Sequence, residues 1–382
     1  MSLKALIAGA GIGGLATAAA LAQRGWDVTV YERQSELRVN GSGIYLWNNG
    51  LDVLSEIGAY DRVLKTPFLG EGIEQRDHLG NVFLPASLPP ASRLVCIHRR
   101  DLHAGLEKAA RDAGAEIVTG AEIVDAQSNG HLVFANGDHA VGDLLVGCDG
   151  AWSSVRRSMG VELYHQLTTE GALRTTIYAT QEDFPPEARG RCIECWNGKR
   201  RLLITPVNQE EVYLALTCPE TDEEARDTSI RPCWRESFPD WAFLIDKIVG
   251  PVTWNVYSVV KCKTWSVGNI CILGDSAHAQ PPNLGQGGGM ALQNGLALAA
   301  HMANLTDGGE IPGALETWET AMRPLVDHCQ YWATLYGEIA NVPNELRPQA
   351  LTAIMGNEWV ASQISLAATS KVVTSVDLDQ IR

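Results

Sequence analysis

The chain has 382 residues, 45% of them apolar and 20% charged, and is long enough to fold around two hydrophobic cores. Its net charge of −15 and its isoelectric point near 5.0 argue against the basic surface that binds nucleic acid or an anionic membrane. Nine cysteines, an odd number, with no secretory leader before the first predicted strand, predict reduced thiols and a cytoplasmic location.

The first 32 residues have the pattern of a strand, a helix and a second strand. Strands are predicted over 4–9 and 27–31, and an alanine-rich helix over 15–24. The apolar run over 5–22 is about as long as a membrane span, but it contains four glycines. The sequence therefore predicts a buried βαβ unit instead of a span.

The turn inside this unit carries the motif GxGxxG, formed by Gly9, Gly11 and Gly14. These glycines permit a tight turn and the close approach of a pyrophosphate, which the free N–H groups of the helix start attract. Glu32 follows 23 residues after Gly9, where a carboxylate can accept both hydroxyls of an adenosine ribose. The pattern predicts FAD or NAD over NADP; a purely structural glycine turn is the alternative.

The middle of the chain differs from the regions on either side of it. Residues 164–261 contain short strand-like runs separated by polar turns, which predict an antiparallel sheet inserted into the first fold. The other predicted elements are helices over 102–113 and 290–302, strands over 116–118, 143–146, 201–204, 211–216 and 269–273, and helices beyond residue 317.

A second glycine-rich loop follows the strand predicted over 269–273. Asp275 can accept a hydrogen bond from a ribityl hydroxyl, and the backbone N–H groups of the glycine run can reach the edge of a flavin ring. A simple NAD dehydrogenase does not need this loop, so it predicts FAD; a loop that merely turns the chain is the alternative. The loop reads Gly274-Asp275-Ser276-Ala277-His278, then Pro281-Pro282, then Gly285-Gln286-Gly287-Gly288-Gly289.

These elements predict an α/β fold in which a Rossmann-like FAD-binding domain carries an inserted, mainly antiparallel β-sheet substrate domain and C-terminal helices. The FAD-binding domain is predicted to be discontinuous, over 1–70, 92–163 and 262–340. The substrate domain is predicted over 71–91 and 164–261, and a C-terminal helical segment over 341–382.

Four motifs resemble those of the single-component flavoprotein aromatic hydroxylases, the family of para-hydroxybenzoate hydroxylase. They are the glycine turn with Glu32-Arg33, Asp149-Gly150 followed by Ser153-Ser154-Val155-Arg156, the Gly274-Asp275 loop, and Arg99 to Leu102 at a helix start. The resemblance implies FAD as cofactor, NADH or NADPH and O2 as co-substrates, and a flavin hydroperoxide as the hydroxylating species. The cofactor-binding residues that it implies are Gly9, Gly11, Gly14, Glu32, Arg33, Gly43, Arg99, Ile123, Asp275, Gly285, Gly287, Gly288 and Gly289. Gly289 and Asn294 depart from the family pattern, in which Asn and Asp are usual.

A narrower resemblance, to 2-methyl-3-hydroxypyridine-5-carboxylate oxygenase and related pyridine-ring hydroxylases, lies in residues 43–50 and 201–213. It implies that Arg174 and Arg201 meet a substrate carboxylate, that Tyr213 meets the ring hydroxyl, and that Tyr45 and Trp47 line the pocket. The residue types suit these roles, because a guanidinium binds a carboxylate with two N–H groups and a tyrosine can donate to a phenolic oxygen. The predicted catalytic residues are Tyr213, Arg201 and Pro282.

The predicted function is hydroxylation of a hydroxylated aromatic carboxylate, with a hydroxypyridine carboxylate such as a hydroxynicotinate as the favoured substrate; subsequent ring opening is left open. The alternatives are a hydroxybenzoate or salicylate hydroxylase, a flavin dehydrogenase or reductase that inserts no oxygen, and a binding protein without redox activity. No histidine or cysteine cluster has metal-ligand spacing, so no metal is predicted. The predicted partners are a small aromatic substrate, O2 and NAD(P)H, without nucleic acid or membrane, and a homodimer is the assembly considered.

Overall fold

The computed structural model of the chain describes residues 2–37, 43–89, 91–227, 231–250 and 252–374, so the end of the predicted C-terminal segment, 375–382, lies outside the described residues. The strands are β1 (Lys4–Ala8), β2 (Asp27–Glu32), β3 (Gly43–Trp47), β4 (Phe68–Gly70), β5 (Ile73–Arg76), β6 (Val82–Leu84), β7 (Leu94–His98), β8 (Glu116–Thr119), β9 (Ile123–Gln127), β10 (His131–Phe134), β11 (His139–Val141), β12 (Leu144–Gly147), β13 (Glu162–Tyr178), β14 (Cys192–Asn197), β15 (Arg200–Pro206), β16 (Glu211–Pro219), β17 (Trp254–Cys262), β18 (Ser266–Val267) and β19 (Ile270–Ile272). The α-helices are α1 (Ile12–Ala22), α2 (Asn48–Glu56), α3 (Tyr60–Val63), α4 (Arg99–Asp112), α5 (Ser154–Met159), α6 (Glu223–Arg226), α7 (Pro232–Ser237), α8 (Ala242–Ile245), α9 (Asp275–His278), α10 (Gly287–Met302), α11 (Ile311–Gly337), α12 (Arg347–Gly356) and α13 (Glu358–Thr369).

A six-stranded sheet forms the centre of the nucleotide-binding part, in the order β18-β19-β12-β1-β2-β8. The strands from β19 to β8 are parallel, and β18 joins β19 antiparallel. The inner strands β1 and β12 are almost wholly buried, as parallel strands covered on both faces usually are. The predicted βαβ unit is present, and the carboxyl ends of β1, β2, β12 and β19 point toward one edge of the sheet.

Two glycine-rich helices begin earlier than the sequence pattern indicates. Helix α1 begins at Ile12 and not at residue 15, and α10 begins at Gly287 and not at residue 290. Glycine has a low helix propensity, so propensity alone places each start after the glycines. In α1, tertiary packing outweighs this low propensity: Gly13 lies so close to Leu273 that a Cβ on it would be 3.0 Å from Leu273 Cδ1. The glycines therefore form the first turn of each helix, where N–H groups have no partner within the helix.

A seven-stranded sheet forms the substrate part, in the order β17-β13-β16-β15-β14-β5-β6, with β14 and β5 parallel and the other pairs antiparallel. Its strands come from residues 73–84 and 162–262. One face packs against α7 and α8 to form a second core that includes Leu202, Leu214 and Trp234. The opposite face is polar. The predicted class, an α/β fold with an inserted antiparallel sheet and C-terminal helices, is confirmed, while the predicted domain boundaries remain a proposal.

The two parts are joined by a three-stranded sheet of order β3-β7-β4 and by the C-terminal helices. Leu94 and Cys96 on β7 form a small apolar cluster with Cys192 on β14. Cys195, three residues after Cys192, lies in the second core, so the CxxC spacing places its two thiols on opposite faces of β14. Within the described ranges, no helix is long and apolar enough to cross a membrane.

Candidate active site

The first part of the site is the turn between β1 and α1. Gly9 has φ +97°, and a Cβ there would lie 2.5 Å from the carbonyl oxygen of Cys148. A Cβ at Gly14 would lie 2.0 Å from the carbonyl oxygen of Gly9. Any side chain at either position would force the backbone apart. Both glycines are therefore required by the turn itself, whatever the turn binds.

Open space lies beside the start of α1. Gly11 is exposed, and a Cβ built on it would have no atom of the described residues within 4 Å. The carboxylate of Glu32 is held at the end of β2, where it accepts hydrogen bonds from the N–H groups of Ala10 (3.0 Å) and Gln34 (2.9 Å). A helix start, a fixed carboxylate and free space between glycines form the arrangement that binds the ADP half of a dinucleotide.

Two further residues predicted at this end differ in their surroundings. Arg33 is exposed. Ile123 is buried at the start of β9, and the N–H of nearby Ala121 donates to the carbonyl of Glu32 at 2.8 Å. The structure therefore places Ile123 near the carboxyl end of β2, on the side predicted for the adenosine.

The guanidinium groups of Arg99 and Arg174 both interact electrostatically with the Asp275 carboxylate, and the space that these three groups face is called the cavity below. The side chains of Asp275 and Arg99 are accessible to solvent, although protein surrounds each of them on most sides. Burial raises the pKa of Asp275, and Arg99 and Arg174 oppose this shift. Burial lowers the pKa of Arg99, and the carboxylate of Asp275 opposes that shift. Because Arg174 comes from the seven-stranded sheet, the cavity is formed by both parts of the fold.

The glycines of the second loop have different environments. Gly287, the first residue of α10, would carry a Cβ with no atom of the described chain within 4 Å, so these residues leave the helix start open at this point. A Cβ at Gly285 would lie 3.0 Å from the ring of Tyr45, and one at Gly288 would lie 3.0 Å from Ile44. Gly289 is buried. Its Cβ position lies 3.0 Å from Asn49 Nδ2 and 3.1 Å from Gln286 Oε1, two groups that hydrogen-bond each other at 3.0 Å.

His278 and Asn294 lie behind the second loop and not in the cavity. His278 Nε2 is 2.7 Å from Asn294 Nδ2, and its ring packs against Trp265 with the ring centroids 5.3 Å apart. Burial lowers the pKa of His278 to about 4, so its ring is neutral at pH 7. The departure from the family pattern at Asn294 thus supplies a neutral partner for a neutral histidine.

Acidification is expected to destabilise the protein through His278. Its folded-state pKa of about 4 lies below the ordinary value near 6.5, so between these values the unfolded state binds the proton more readily. The stabilisation is complete above pH 6.5 and is lost as the pH falls toward 4. Between pH 7.5 and 5.5 we expect a loss of about 1 kcal/mol in the free energy of unfolding that a His278→Gln variant lacks. Urea denaturation of both proteins at both pH values tests this; the same pH dependence in the two would contradict it.

The polar face of the seven-stranded sheet holds the predicted substrate residues in three rows. Opposed residues on adjacent antiparallel strands project to the same face. Tyr213 lies in the first row and Arg174 in the second, and Arg201 lies in the third. The rows, each running across β13, β16 and β15, are Thr176-Tyr213-Thr205, Arg174-Ala215-Leu203 and Ala172-Thr217-Arg201.

Arg174 lies at the centre of this face. Its Cζ is 5.2 Å from the ring centroid of Tyr257, whose hydroxyl lies 3.1 Å from Thr217 Oγ1. Burial lowers the pKa of Arg174, but Tyr213 and Tyr257 outweigh it and the net shift is upward. Burial raises the pKa of Tyr213, against the effect of Arg174 and two other arginines, so this phenol is protonated at neutral pH. The sequence analysis missed Tyr257, although strand alternation places it on the same face as Arg174.

Arg201 shares the face with Tyr213, but it is not adjacent to it. The two lie four residues apart along the ladder, about 13 Å at the usual rise of a strand. The guanidinium of Arg201 donates to Asn283 Oδ1 at 2.7 Å and lies 3.5 Å from Glu194 Oε1. Asn283 follows Pro282, which is exposed in the second loop, so Arg201 is held against the loop predicted to contact the flavin. Arg201 is therefore already paired with a protein carboxylate.

Strand β3 covers the Tyr213 end of the sheet. A Cβ on Gly43 would lie 2.6 Å from the ring of Tyr213, so glycine allows β3 to lie against that ring. The hydroxyl of Tyr45 hydrogen-bonds Thr205 Oγ1, which leaves it engaged by the protein. Trp47 Nε1 is buried and has no hydrogen-bond partner among the residues that the structure describes. It lies 3.4 Å from the Cβ position of Gly285, which places an unsatisfied donor beside the second loop.

The residues present fit FAD. The open space at Gly11 and the fixed carboxylate of Glu32 suit its ADP half, and the accessible pair of Asp275 and Arg99 suits the ribityl chain. The open helix start at Gly287 suits the flavin ring. No group of three histidine, cysteine, aspartate or glutamate side chains in the described part of the chain is arranged to hold a metal ion.

The chain is similar to known proteins along almost its whole length. A model of the family described as "FAD binding domain" matches residues 2–332. The chain is 37% identical over 370 residues to a probable 2-heptyl-3-hydroxy-4(1H)-quinolone synthase of Rhodococcus erythropolis, covering 96% of this chain and 95% of that protein. It is 34% identical over 353 residues to a 2-heptyl-3-hydroxy-4(1H)-quinolone synthase of Mycobacteroides abscessus, covering 91% of this chain and 93% of that one. Among solved structures, the tetrameric form of 2-methyl-3-hydroxypyridine-5-carboxylic acid oxygenase matches with a TM-score of 0.86 at 31% identity, covering 96% of each chain.

Proposed function

We propose a substrate class for this protein on the premise that the chain belongs to the FAD binding domain family and is an FAD-dependent monooxygenase of the aromatic hydroxylase type. The resemblance to flavoprotein aromatic hydroxylases inferred from the sequence is thereby confirmed. The reaction that we propose is hydroxylation of a nitrogen heteroaromatic ring that already carries a hydroxyl or oxo group. NADH or NADPH is the proposed reductant and O2 the oxygen source.

The observation that carries this proposal is the placement of Arg174 between two tyrosines on the face of the sheet that meets the FAD cavity. The ring is electron-rich enough to be hydroxylated when its oxygen substituent is ionised, and a nearby cation favours that ionised form. Arg174 supplies the cation. Tyr213, protonated at neutral pH, supplies a hydrogen-bond donor to the same oxygen.

The other residues of the site hold the cofactor and shape the pocket in this proposal. Glu32 binds the adenosine ribose, Asp275 accepts from the ribityl chain, and the first N–H groups of α10 face the flavin. FAD supplies the oxygen-transfer chemistry when it is bound. Tyr45, Trp47 and Pro282 form the walls that keep water away from the reacting ring.

The names of the relatives agree with a nitrogen heterocycle. Two relatives at 34% and 37% identity are named as synthases of a hydroxylated 4(1H)-quinolone, and the matching structure is of a hydroxypyridine carboxylic acid oxygenase. Both ring systems contain a ring nitrogen and an oxygen substituent. The hydroxypyridine carboxylate predicted from the sequence, a hydroxynicotinate, and a 4(1H)-quinolone are therefore the two substrates that we compare.

A substrate panel tests the proposal. NAD(P)H oxidation by the FAD-loaded enzyme is expected to be stimulated by hydroxypyridines or 4(1H)-quinolones, and less by hydroxybenzoates and salicylate. The measurement is the initial rate of NADH or NADPH loss at 340 nm. Stimulation by hydroxybenzoates alone, or by no ring of the panel, would contradict the proposed substrate class.

A further inference from the structure

We propose that Glu194 restricts the substrate to rings without a carboxylate group, because it neutralises the arginine that would otherwise bind one. This inference rests on the proposed function and narrows it to neutral pyridone- or quinolone-type rings. It differs from the sequence-based prediction, in which Arg174 and Arg201 together hold a substrate carboxylate.

Glu194 is a buried acid on the polar face of the seven-stranded sheet, where it is only 7% exposed. One carboxylate oxygen, Oε1, lies 3.5 Å from Arg201 Nε. The other, Oε2, accepts hydrogen bonds from Gln75 Nε2 at 2.8 Å and from the hydroxyl of Tyr336 at 3.5 Å. The carboxylate is therefore fixed beside the guanidinium by partners from two other elements.

A second acid, Glu170, faces the same guanidinium. Burial lowers the pKa of Arg201, but Glu194 and Glu170 outweigh it and the net shift is upward. A Cβ at Gly337 would lie 2.8 Å from Asn283 Nδ2 and 3.4 Å from Glu170 Oε1, and Asn283 is the residue that Arg201 hydrogen-bonds. One protein carboxylate thus lies beside this guanidinium and a second acts on it electrostatically, so its positive charge is already compensated before a substrate carboxylate arrives.

Arg174 has no such compensation from the sheet. It makes no ion pair with a carboxylate within the described residues, and on the sheet it lies beside the phenols of Tyr213 and Tyr257. The carboxylate of Asp275 interacts with Arg174 but also with Arg99, so two guanidinium groups share one carboxylate at this end. The cavity therefore has a cationic end at Arg174 and an acid-compensated end at Arg201. A ring with a single oxygen at the cationic end is matched by this charge pattern. A ring that carries an additional carboxylate is repelled at the other end.

The pair of Glu194 and Arg201 is not explained by stability alone. A buried ion pair usually contributes little more to stability than well-packed apolar residues would, because both charges lose their hydration. Trp196, an apolar neighbour on the same face, already packs against Arg201, with Cζ 5.2 Å from its ring centroid. Selectivity against a negatively charged substrate gives Glu194 a role that packing against Arg201 does not provide.

The test compares substrates that differ only in a carboxylate. The pairs are 3-hydroxypyridine with 5-hydroxynicotinate, and 4(1H)-quinolone with its 2-carboxylate, and the readout is Kd for the FAD-loaded enzyme from the change in flavin absorbance. We expect the wild type to bind the neutral member of a pair at least about tenfold more tightly. A Glu194→Gln variant should move this ratio by about tenfold or more toward the carboxylate, since Arg201 is then unpaired.

Asp222→Asn is the matched control. Asp222 Oδ2 lies 2.7 Å from Nε of Arg200, which precedes Arg201 and projects to the opposite face of the sheet. Asp222 also caps the start of α6, and an asparagine side chain can still do so. This variant should leave the Kd ratio unchanged. A Glu170→Gln variant should move the Kd ratio in the same direction as Glu194→Gln. If Glu194→Gln fails to bind FAD, the Glu170→Gln result tests the inference in its place.

Three outcomes would overturn the inference: a wild type that prefers the carboxylate member, a ratio that is unchanged in Glu194→Gln, or an equal change in Asp222→Asn. The first two leave the proposed function intact when NAD(P)H oxidation is still stimulated by either ring. Failure of all four rings to bind the wild type would overturn the proposed function, and this inference with it.

Discussion

An Arg174→Met variant is expected to lose about 30- to 5000-fold in kcat/KM while it still binds FAD. The estimate corresponds to roughly 2 to 5 kcal/mol, the usual cost of removing one partner from a buried charge interaction. Methionine keeps much of the side-chain length and its contact with the ring of Tyr257, so the loss isolates the positive charge. Steady-state rates of NAD(P)H oxidation and FAD titration measure the two properties separately.

Arg200→Met provides the control for this experiment. Arg200 lies on β15 of the same sheet, separated from the strand of Arg174 by β16, and its guanidinium pairs with Asp222 on the opposite face. It should lower stability modestly and leave kcat/KM within about twofold, as substitutions away from a site usually do. If Arg174→Met retains wild-type kcat/KM, the substrate does not place its oxygen at Arg174 and the proposed orientation is wrong.

A Gly11→Val variant is expected to fold and to lose FAD. Gly11 has φ −78° and ψ −175°, an extended conformation that valine adopts without strain, and a Cβ on it would meet no atom within 4 Å in the part of the chain that the structure describes. The added side chain would instead fill the space where a pyrophosphate approaches the start of α1. Displacing one or two charged hydrogen bonds costs about 3 kcal/mol or more, so the Kd for FAD should rise at least about a hundredfold.

Gly313→Val is the matched control, because a Cβ at Gly313 in α11 also meets no protein atom within 4 Å. Both variants should show the far-ultraviolet circular dichroism of the wild type, and only Gly11→Val should purify without yellow colour. Wild-type affinity for FAD in Gly11→Val would show that the open space beside α1 is not the pyrophosphate site.

The sequence was sufficient to predict those parts of the fold that depend on local pattern. The motif at Gly9 to Gly14 with Glu32 requires one backbone arrangement, since a side chain at Gly14 would collide with Gly9. The strands predicted over 201–204 and 211–216 are also present as adjacent antiparallel strands, and their register places Arg201 and Tyr213 on one face. Both inferences use residues that are close in the chain or related by a single turn.

The charge environment of the site could not be predicted in the same way. Glu194 meets Tyr336, 142 residues later, and Arg201 meets Asn283, 82 residues later. Glu194 and Arg201 lie on neighbouring strands of one hairpin, but whether their side chains meet depends also on these distant partners, which are set by how two sheets and a C-terminal helix pack together. For this reason the sequence predicted two free arginines for a carboxylate, whereas the structure pairs one of them.

The helix starts illustrate the same limit on a smaller scale. Helix propensity predicts that α1 and α10 begin after their glycines, but both helices begin earlier. For α1, the close packing of Gly13 against Leu273 accounts for a glycine in the first turn. The unsatisfied indole N–H of Trp47 is also a property of the assembled site, since its sequence context gives no sign that a partner is missing.

We propose that this protein inserts an oxygen atom from O2 into a nitrogen heteroaromatic ring. The most direct test is turnover of 4(1H)-quinolone or 3-hydroxypyridine by the FAD-loaded enzyme with NAD(P)H under ¹⁸O₂, followed by mass spectrometry of the product. We predict one ¹⁸O atom in each product molecule. NAD(P)H consumption with an unlabelled ring product would contradict the claim and favour a flavin dehydrogenase or reductase.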